Sequence, residues 1–276
     1  SEATQSKGGM VLGNPHFPWR GTERFYEHHL TIPGKIDVTG AALMGAPVVN
    51  IGHNRHVAWT HTVSTARRFV IHRLTLAPGD PTSYVVDGKT TKMTSRTVTV
   101  QVRENGKLVS RQHTFYDTKL GPVLTLGLAG YAWNTTNAYA LGDINAANMR
   151  LLNVWYEMDQ ATSAKGLVKA QSRTQGVPWV TTEAADDKGQ AVFTENSAIP
   201  NVSAAKMTDC MTGGIAQAVF SAARVITLDG SRSACGLGKD PGAVAPGILA
   251  PKHVPIVYRR DYVANVSHEL RTPIFS

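Results

Sequence analysis

The first half of the chain alternates hydrophobic and polar residues with the period of two that is typical of β-strands. The clearest runs are residues 48–51, 57–63, 69–74, 97–103 and 108–116. Gly52-His53-Asn54 predicts a connection between the first two runs. Asn105-Gly106 lies between the last two runs, and Asn-Gly is favoured where both central residues of a turn need positive φ. We therefore predict a β-hairpin there.

Helical periodicity comes later in the chain. Hydrophobic residues at three- and four-residue steps predict a helix over residues 144–158, with Met149, Leu152, Trp155 and Tyr156 on one face. A second helix is predicted over residues 164–171, with Thr162 or Ser163 as its N-cap. Residues 179–184 and 190–194 then predict another hairpin, and residues 200–255 are rich in Gly, Ala and Pro with weak periodicity. This order of elements favours an α+β fold in which helices cover sheets.

Composition indicates a folded chain and excludes some functions. The chain has 276 residues, which is long enough for a buried core without metal or disulfide support. It is 42% hydrophobic and 17% charged, as is usual for folded proteins. Without a run of 18 apolar residues, we expect no membrane span. The net charge is +8, but Lys and Arg are scattered and accompany no nucleic-acid motif, so a basic solvated surface is favoured over nucleic-acid binding. Neither an initiator Met nor a leader is seen, which fits a trimmed chain or an internal piece of a precursor.

The familiar cofactor motifs are missing. His53, His56 and His61 lie within nine residues, but their spacing mixes strand and loop positions and lacks the tight pairs of zinc sites. We therefore expect no metal. Neither GxxxxGK[ST] nor GxGxxG occurs, so we expect no nucleotide cofactor. The GxSxG elbow of α/β-hydrolases is also absent.

The two cysteines, Cys210 and Cys235, leave two interpretations open. They lie 25 positions apart, and the segment between them is loop-rich, with Gly213, Gly214 and Gly230. In an oxidising compartment they would close a loop worth about 3–4 kcal/mol of stability. In the cytosol they would be free thiols.

Several longer motifs carry a family resemblance. They are GMVLGNPHFPW at 9–19, RFYEHHLTIPG at 24–34, PVVNIG at 47–52, VAWTHTV at 57–63 and GVPWV at 176–180. In this order they resemble the penicillin acylase family of N-terminal nucleophile (Ntn) hydrolases, and within it the acylases of acyl-homoserine lactones, aculeacin and penicillin V. The resemblance extends from about residue 1 to about residue 265.

The resemblance implies a fold and a reaction. The fold would be a four-layer αββα sandwich, incomplete at both ends, with residues 1–260 as one β-chain core domain. Such enzymes hydrolyse the amide between a fatty or aryl acyl group and an amine, and an α chain from the same precursor is the partner. The nucleophile is the N-terminal Ser of the β chain, and its own α-amino group can act as the base because its pKa lies near neutrality. The match to bacterial enzymes that work outside the cytoplasm implies a periplasmic or secreted protein and favours a disulfide between Cys210 and Cys235.

The resemblance also assigns roles to individual residues. His16 matches the histidine that assists the nucleophile, and Val63 matches the residue whose backbone N–H completes the oxyanion hole. Four side chains match positions that line the acyl pocket: Phe17, Trp155, Trp179 and Val180. Ordinary core packing is the alternative for these four, because Trp155 also fits the hydrophobic face of the predicted helix.

Both ends of the chain depart from the family. Ser1 lies seven residues closer to His16 than the family nucleophile does, so we expect the true nucleophile and its strand to lie upstream. After Asn265, Ser267 occupies the place of the second oxyanion donor, an Asn in the family. Residues 261–276 form an atypical segment that resembles the H-box of sensor histidine kinases around His268. A binding-only relative and a kinase fragment therefore remain alternatives, and we expect the chain alone to have no useful amidase activity.

Overall fold

A computed structural model describes residues 4–125, 130–211, 213–253 and 256–259 of the chain. The strands are β1 (Phe25–Ile32), β2 (Ile36–Leu43), β3 (Ile51–Asn54), β4 (Val57–Val63), β5 (Phe69–Ala77), β6 (Asp80–Val86), β7 (Lys89–Lys92), β8 (Thr94–Glu104), β9 (Lys107–Thr118), β10 (Gly121–Pro122), β11 (Asn137–Asp143), β12 (Val180–Asp186), β13 (Ala191–Thr194), β14 (Ile226–Asp229) and β15 (Ile256–Arg259). The helices are α1 (Leu151–Met158), α2 (Ala164–Thr174), α3 (Ala204–Cys210) and α4 (Gly214–Ala223). The described chain divides into two compact units, each built from separate stretches of sequence.

The first unit contains the described parts of Ser1–Ala66, Asn145–Ile199 and Lys239–Phe275. Its sheet has seven strands in the order β1-β2-β3-β4-β12-β13-β15, and every neighbouring pair is antiparallel. Helices α1 and α2 share one hydrophobic core with this sheet, which includes Trp59, Trp155, Met158 and Leu167. Burial of these large apolar side chains is the main stabilising contribution in this unit.

Two glycines let β2 and β3 approach each other closely. Gly40 and Gly52 are directly opposite in the register of this pair. A Cβ at Gly52 would overlap the carbonyl oxygen of Thr39 and would lie 2.6 Å from Cγ1 of Val49. This approach brings Val49, which is fully buried, into the core beneath the two strands.

The second unit contains the described parts of Arg67–Ile144 and Pro200–Gly238. Its larger sheet has the order β11-β5-β6-β7, with β14 pairing parallel to β5, and β8 to β10 form a smaller antiparallel sheet. Cys210 at the end of α3 is bonded to Cys235, with their Cα atoms 5.5 Å apart. This distance lies within the usual range for a disulfide. Both residues are buried in a small core with Val70 and Leu228.

Several predicted elements are confirmed. The hairpin of β8 and β9 turns at Asn105 and Gly106, and both have positive φ, as the Asn-Gly pair predicts. Helix α2 begins after Ser163, whose Oγ accepts a hydrogen bond from the N–H of Gly166, so Ser163 is the N-cap. The hairpin of β12 and β13 is also present. The prediction of an α+β fold is therefore correct.

The predicted helix over residues 144–158 is wrong at its start, because α1 begins only at Leu151. Residues 144–147 form turns instead. Asn148 donates to the side chain of Asn145, and its own Oδ1 accepts from the N–H of Arg150. Such local side-chain hydrogen bonds compete with helical ones, which explains the later start.

The predicted strand over residues 48–51 is also wrong, because β3 begins at Ile51 and includes the predicted connection Gly52-His53-Asn54. Backbone groups in this stretch bond elsewhere: the N–H of Val49 donates to Asp159, and the N–H of Asn50 donates to the carbonyl of Ala41. The hydrophobic run therefore marks a buried connection rather than a strand.

Two further predictions concern the whole chain. Within the described ranges, no helix has both the length and the apolar character to cross a bilayer. The atypical segment 261–276 lies outside the described residues, so the boundary after residue 260 stays a prediction.

Candidate active site

The central strand β4 presents backbone groups that no neighbouring strand uses. The N–H of Ser64 donates to the carbonyl of Trp179 and the N–H of Asp187 donates to the carbonyl of His56, so the even-numbered residues from 56 to 64 are the hydrogen-bonded partners of β12. Residues alternate in an antiparallel pair, so the N–H of Val63 is directed away from β12. On that other side, β3 pairs with β4 only through Gly52 and His53. Within the described sheet, the N–H of Val63 therefore has no strand partner.

The same register brings two predicted pocket residues to the end of β4. Val180 is the direct partner of Val63, and Trp179 precedes it. Val63 and Trp179 are 66% and 43% exposed, whereas Val180 is half-buried against the hydrophobic core. Val63 and Trp179 therefore leave apolar surface exposed at this end of β4.

The N-terminal segment crosses the strands towards this surface. The N–H of Gly9 donates to the carbonyl of Asp186, which lies opposite Val57 at the start of β4. Four residues later, a Cβ at Gly13 would lie 3.2 Å from Oγ1 of Thr60. The segment thus advances along β4 in the direction of Val63.

His16 and Phe17 follow this segment. His16 is exposed, in a stretch without regular secondary structure. Phe17 is half-buried and packs edge-to-face against Phe25 at the start of β1, with ring centroids 5.2 Å apart. The convergence of His16 and the N–H of Val63 on one cleft stays a prediction.

Trp155 has the deepest position among the predicted pocket residues. It is 6% exposed, and its indole N–H donates to Nε2 of His61 at 3.0 Å and to the carbonyl of Asn50 at 3.1 Å. Burial lowers the pKa of His61 to about 4, so this imidazole is neutral at pH 7. The indole N–H of Trp155 is thus bonded to two acceptors that are themselves buried.

A buried carboxyl group accepts a hydrogen bond from the backbone just before β3 begins. Oδ2 of Asp159 accepts from the N–H of Val49, while its Oδ1 has no hydrogen-bond partner. Burial raises the pKa of Asp159 to about 7. Glu183 on β12 shows the same effect, with a pKa raised by burial to about 7.

The three clustered histidines do not form a common site. His53 is exposed, His56 pairs with Asp187 at 3.0 Å, and His61 bonds to Trp155. Throughout the part of the chain that the structure describes, no group of three or more His, Cys, Asp or Glu residues is arranged to hold a metal ion.

Sequence reasoning missed the roles of His61 and Asn50. The pattern of Val57–Val63 contains a signal for His61, because Val57, Trp59 and His61 alternate onto one face and all are buried. Four other predicted positions lie outside the described residues: Ser1, Asn265, Ser267 and His268.

The geometry at the end of β4 is compatible with acyl transfer. A backbone N–H that no strand partner uses can stabilise an oxyanion, and the adjoining apolar surface can hold an acyl chain. The described fold matches that of a solved acyl-amide hydrolase, a thermostable penicillin G acylase from Alcaligenes faecalis, with a TM-score of 0.63 over 85% of this chain and 36% of that one, at 20% identity. At this identity the match concerns the fold alone.

The chain belongs to the penicillin amidase family, whose model matches residues 1–273. It is 49% identical over 275 residues to aculeacin-A acylase of Actinoplanes utahensis, which covers 99% of this chain and 34% of that protein. It is 45% identical over 264 residues to the acyl-homoserine lactone acylase PvdQ of Pseudomonas fluorescens, which covers 95% of this chain and 33% of that protein. The chain therefore spans about a third of the length of these relatives.

Proposed function

We propose that this chain is the core of the β chain of an amidohydrolase that removes a fatty or aryl acyl group from an acylated small molecule. The observation that carries the proposal is the free N–H of Val63 at the end of β4, beside the apolar surface of Trp179 and Val180. The chain that contains this N–H is 49% identical to an aculeacin-A acylase, which supports this reaction class.

The proposed mechanism begins with an N-terminal Ser whose own α-amino group takes the hydroxyl proton. The serine oxygen attacks the amide carbon, and the N–H of Val63 donates to the oxyanion of the tetrahedral intermediate. His16 assists at the nucleophile. The amine leaves with a proton, and water then hydrolyses the acyl-enzyme ester. One oxyanion donor contributes about 2.7–4 kcal/mol to the transition state.

The acyl chain would lie against Phe17, Trp155, Trp179 and Val180. The exposed side chain of Trp179 and the buried ring of Trp155 differ in depth, which supports a pocket with an entrance and a floor. Apolar walls with few polar groups are suited to a fatty or aryl acyl group.

The proposal includes a partner and a compartment. An α chain from the same precursor would complete the enzyme, which is consistent with a chain that spans a third of its relatives. The bond between Cys210 and Cys235 supports a periplasmic or secreted protein, because disulfides persist in oxidising compartments.

The test uses the complete protein encoded with this chain, produced by secretion so that the disulfide can form. Purified enzyme is incubated with a long-chain acyl-homoserine lactone and with penicillin V, and the released amine is quantified. We expect turnover, a His16→Ala variant slowed by about 100-fold or more, and a serine-reactive reagent attached to the N-terminal residue of one chain. Binding of these acyl compounds without turnover would instead support the binding-only alternative and overturn the proposed reaction.

Two matched variants assign the nucleophile. If the nucleophile lies upstream, Ser1→Ala retains activity, whereas Ala at the N-terminal Ser of the mature chain abolishes it. Loss of activity on Ser1→Ala would identify Ser1 as the nucleophile and would contradict the proposed spacing to His16.

A further inference from the structure

A chain of buried hydrogen bonds connects β4, β12 and α1 behind the proposed pocket. His61 on β4 is 8% exposed and lies two residues before Val63. Its Nδ1 is 3.0 Å from the carbonyl oxygen of Thr181 and 3.1 Å from Oγ1 of Thr182, both on β12. Its Nε2 is 3.0 Å from the indole nitrogen of Trp155 on α1. One side chain therefore contacts all three elements.

The partners determine the tautomer of His61. The carbonyl of Thr181 can only accept, so Nδ1 carries the proton and donates to it. The indole N–H of Trp155 can only donate, so Nε2 supplies the lone pair that accepts it. The imidazole is neutral, with its pKa lowered by burial to about 4, and both nitrogens are used.

The indole of Trp155 is held by two acceptors. Besides His61, the carbonyl of Asn50 accepts from Trp155 at 3.1 Å, and the same carbonyl accepts from Trp59 at 2.8 Å. The rings of His61 and Trp155 are edge-to-face, with centroids 5.6 Å apart and planes at 87°. Without the His61 side chain, the indole N–H of Trp155 would keep only the carbonyl of Asn50 as an acceptor. The ring could then rotate about that single hydrogen bond.

We propose that His61 is a positioning residue that sets the orientation of Trp155 and thereby the length of acyl chain that the pocket accepts. This inference rests on the proposed function, in which Trp155 lines the acyl pocket. His61 does not touch the reacting atoms in this proposal; it acts through Trp155. A rotation of the indole that changes the pocket depth by one methylene would change kcat/KM by about 10- to 200-fold.

The test compares His61→Leu and His61→Gln with wild type in the complete protein. The readout is the ratio of kcat/KM for a long-chain to that for a short-chain acyl-homoserine lactone. We expect His61→Leu to change this ratio by about tenfold or more. We expect His61→Gln to stay closer to wild type, because a Gln amide can accept from Trp155 and donate to Thr181. If His61→Leu does not fold, His61→Asn replaces it, since Asn is too short to reach both partners.

A matched control separates positioning from general loss of a buried histidine. His72 on β5 is buried to a similar degree, and its pKa is also lowered by burial to about 4. His72→Leu is expected to change thermal stability without changing the chain-length ratio. Trp155→Phe, which lacks the indole N–H, provides a coupling test: in that background, His61→Leu should change the ratio by less than about threefold.

The outcomes are distinguishable. An active wild type whose chain-length ratio is the same in His61→Leu, with only a lower melting temperature, overturns this inference and leaves the proposed function intact. Equal effects of His61→Leu with and without the Trp155 indole also overturn it. A wild type that hydrolyses no acyl amide overturns the proposed function, and this inference with it.

Discussion

Replacing Val63 by Pro tests the oxyanion donor with little change to the sheet. Proline lacks the N–H, and the N–H of Val63 is directed away from β12, so Val63→Pro removes no hydrogen bond of the β4–β12 pair. The adjoining side of β4 pairs with β3 only through Gly52 and His53. Proline is tolerated in strands where its missing N–H has no partner in the sheet.

The expected effect is a loss of about 100- to 1,000-fold in kcat, which corresponds to about 2.7–4 kcal/mol of transition-state stabilisation. Because the bound substrate carries no oxyanion and the charge develops only on the way to the tetrahedral intermediate, kcat and kcat/KM should fall together while KM changes little. The assay measures amine release from a long-chain acyl-homoserine lactone by the complete protein, with the melting temperature of each variant measured in parallel.

Two controls identify the cause of the loss. Val63→Ala retains the N–H and shortens a side chain that is 66% exposed, so it should keep kcat within about threefold of wild type. Thr62→Pro removes an N–H that lies in a hydrogen-bonded pair with Thr181, so it should lower the melting temperature more than Val63→Pro does. A Val63→Pro enzyme that folds as well as wild type and retains its kcat would refute the assignment.

Three further predictions concern stability. Replacing Cys210 and Cys235 by Ser should lower the free energy of unfolding by about 3–4 kcal/mol, and reductant should lower that of wild type by a similar amount but leave the variant unchanged. Because the pKa of Asp159 is raised in the folded state, wild type should lose stability as pH rises from about 4 to about 7. Asp159→Asn does not titrate there, so in urea unfolding it should gain about 3–4 kcal/mol relative to wild type over this window. A stability difference independent of pH would contradict this. Gly52→Ala should abolish folding or lower the melting temperature strongly, since its Cβ would overlap the carbonyl of Thr39; thermal unfolding at the wild-type temperature would show that β2 and β3 are farther apart.

Periodicity predicted the elements whose structure depends on local sequence. The turn at Asn105 and Gly106 and the N-cap at Ser163 are determined by a few neighbouring residues, and both are present. Residues 48–51 were misinterpreted because a hydrophobic run reports burial and not conformation. The N–H of Val49 bonds to Asp159, 110 residues later, and no local pattern contains that information.

For the candidate site too, the sequence predicted the local elements but not the contacts between distant residues. The motif around Val63 identified the strand, but only the register with β12 shows that its N–H lies on the side away from that strand. Likewise Val180 pairs with Val63, and Trp179 with Ser64, across more than a hundred residues, which a single sequence cannot specify. Gly9 and Gly13 follow β4 towards Val63, and the relation of His16 to this N–H stays a prediction.

His61 illustrates why a departure from the hydrophobic pattern can indicate function. In Val57–Val63 the core-facing positions hold Val57, Trp59 and then a histidine, whose burial in neutral form would cost free energy if its nitrogens were unpaired. Both nitrogens are paired, so the polar group is retained without that cost. An indole N–H that faced an acyl pocket unpaired would weaken binding of an apolar chain, whereas acceptors behind the ring satisfy the N–H and leave an apolar face for the ligand. A leucine at position 61 would satisfy the core pattern but would remove one of the two acceptors of the Trp155 indole. A histidine at this position is therefore consistent with the proposal that Trp155 forms the floor of an acyl pocket, and a hydrophobic residue is not.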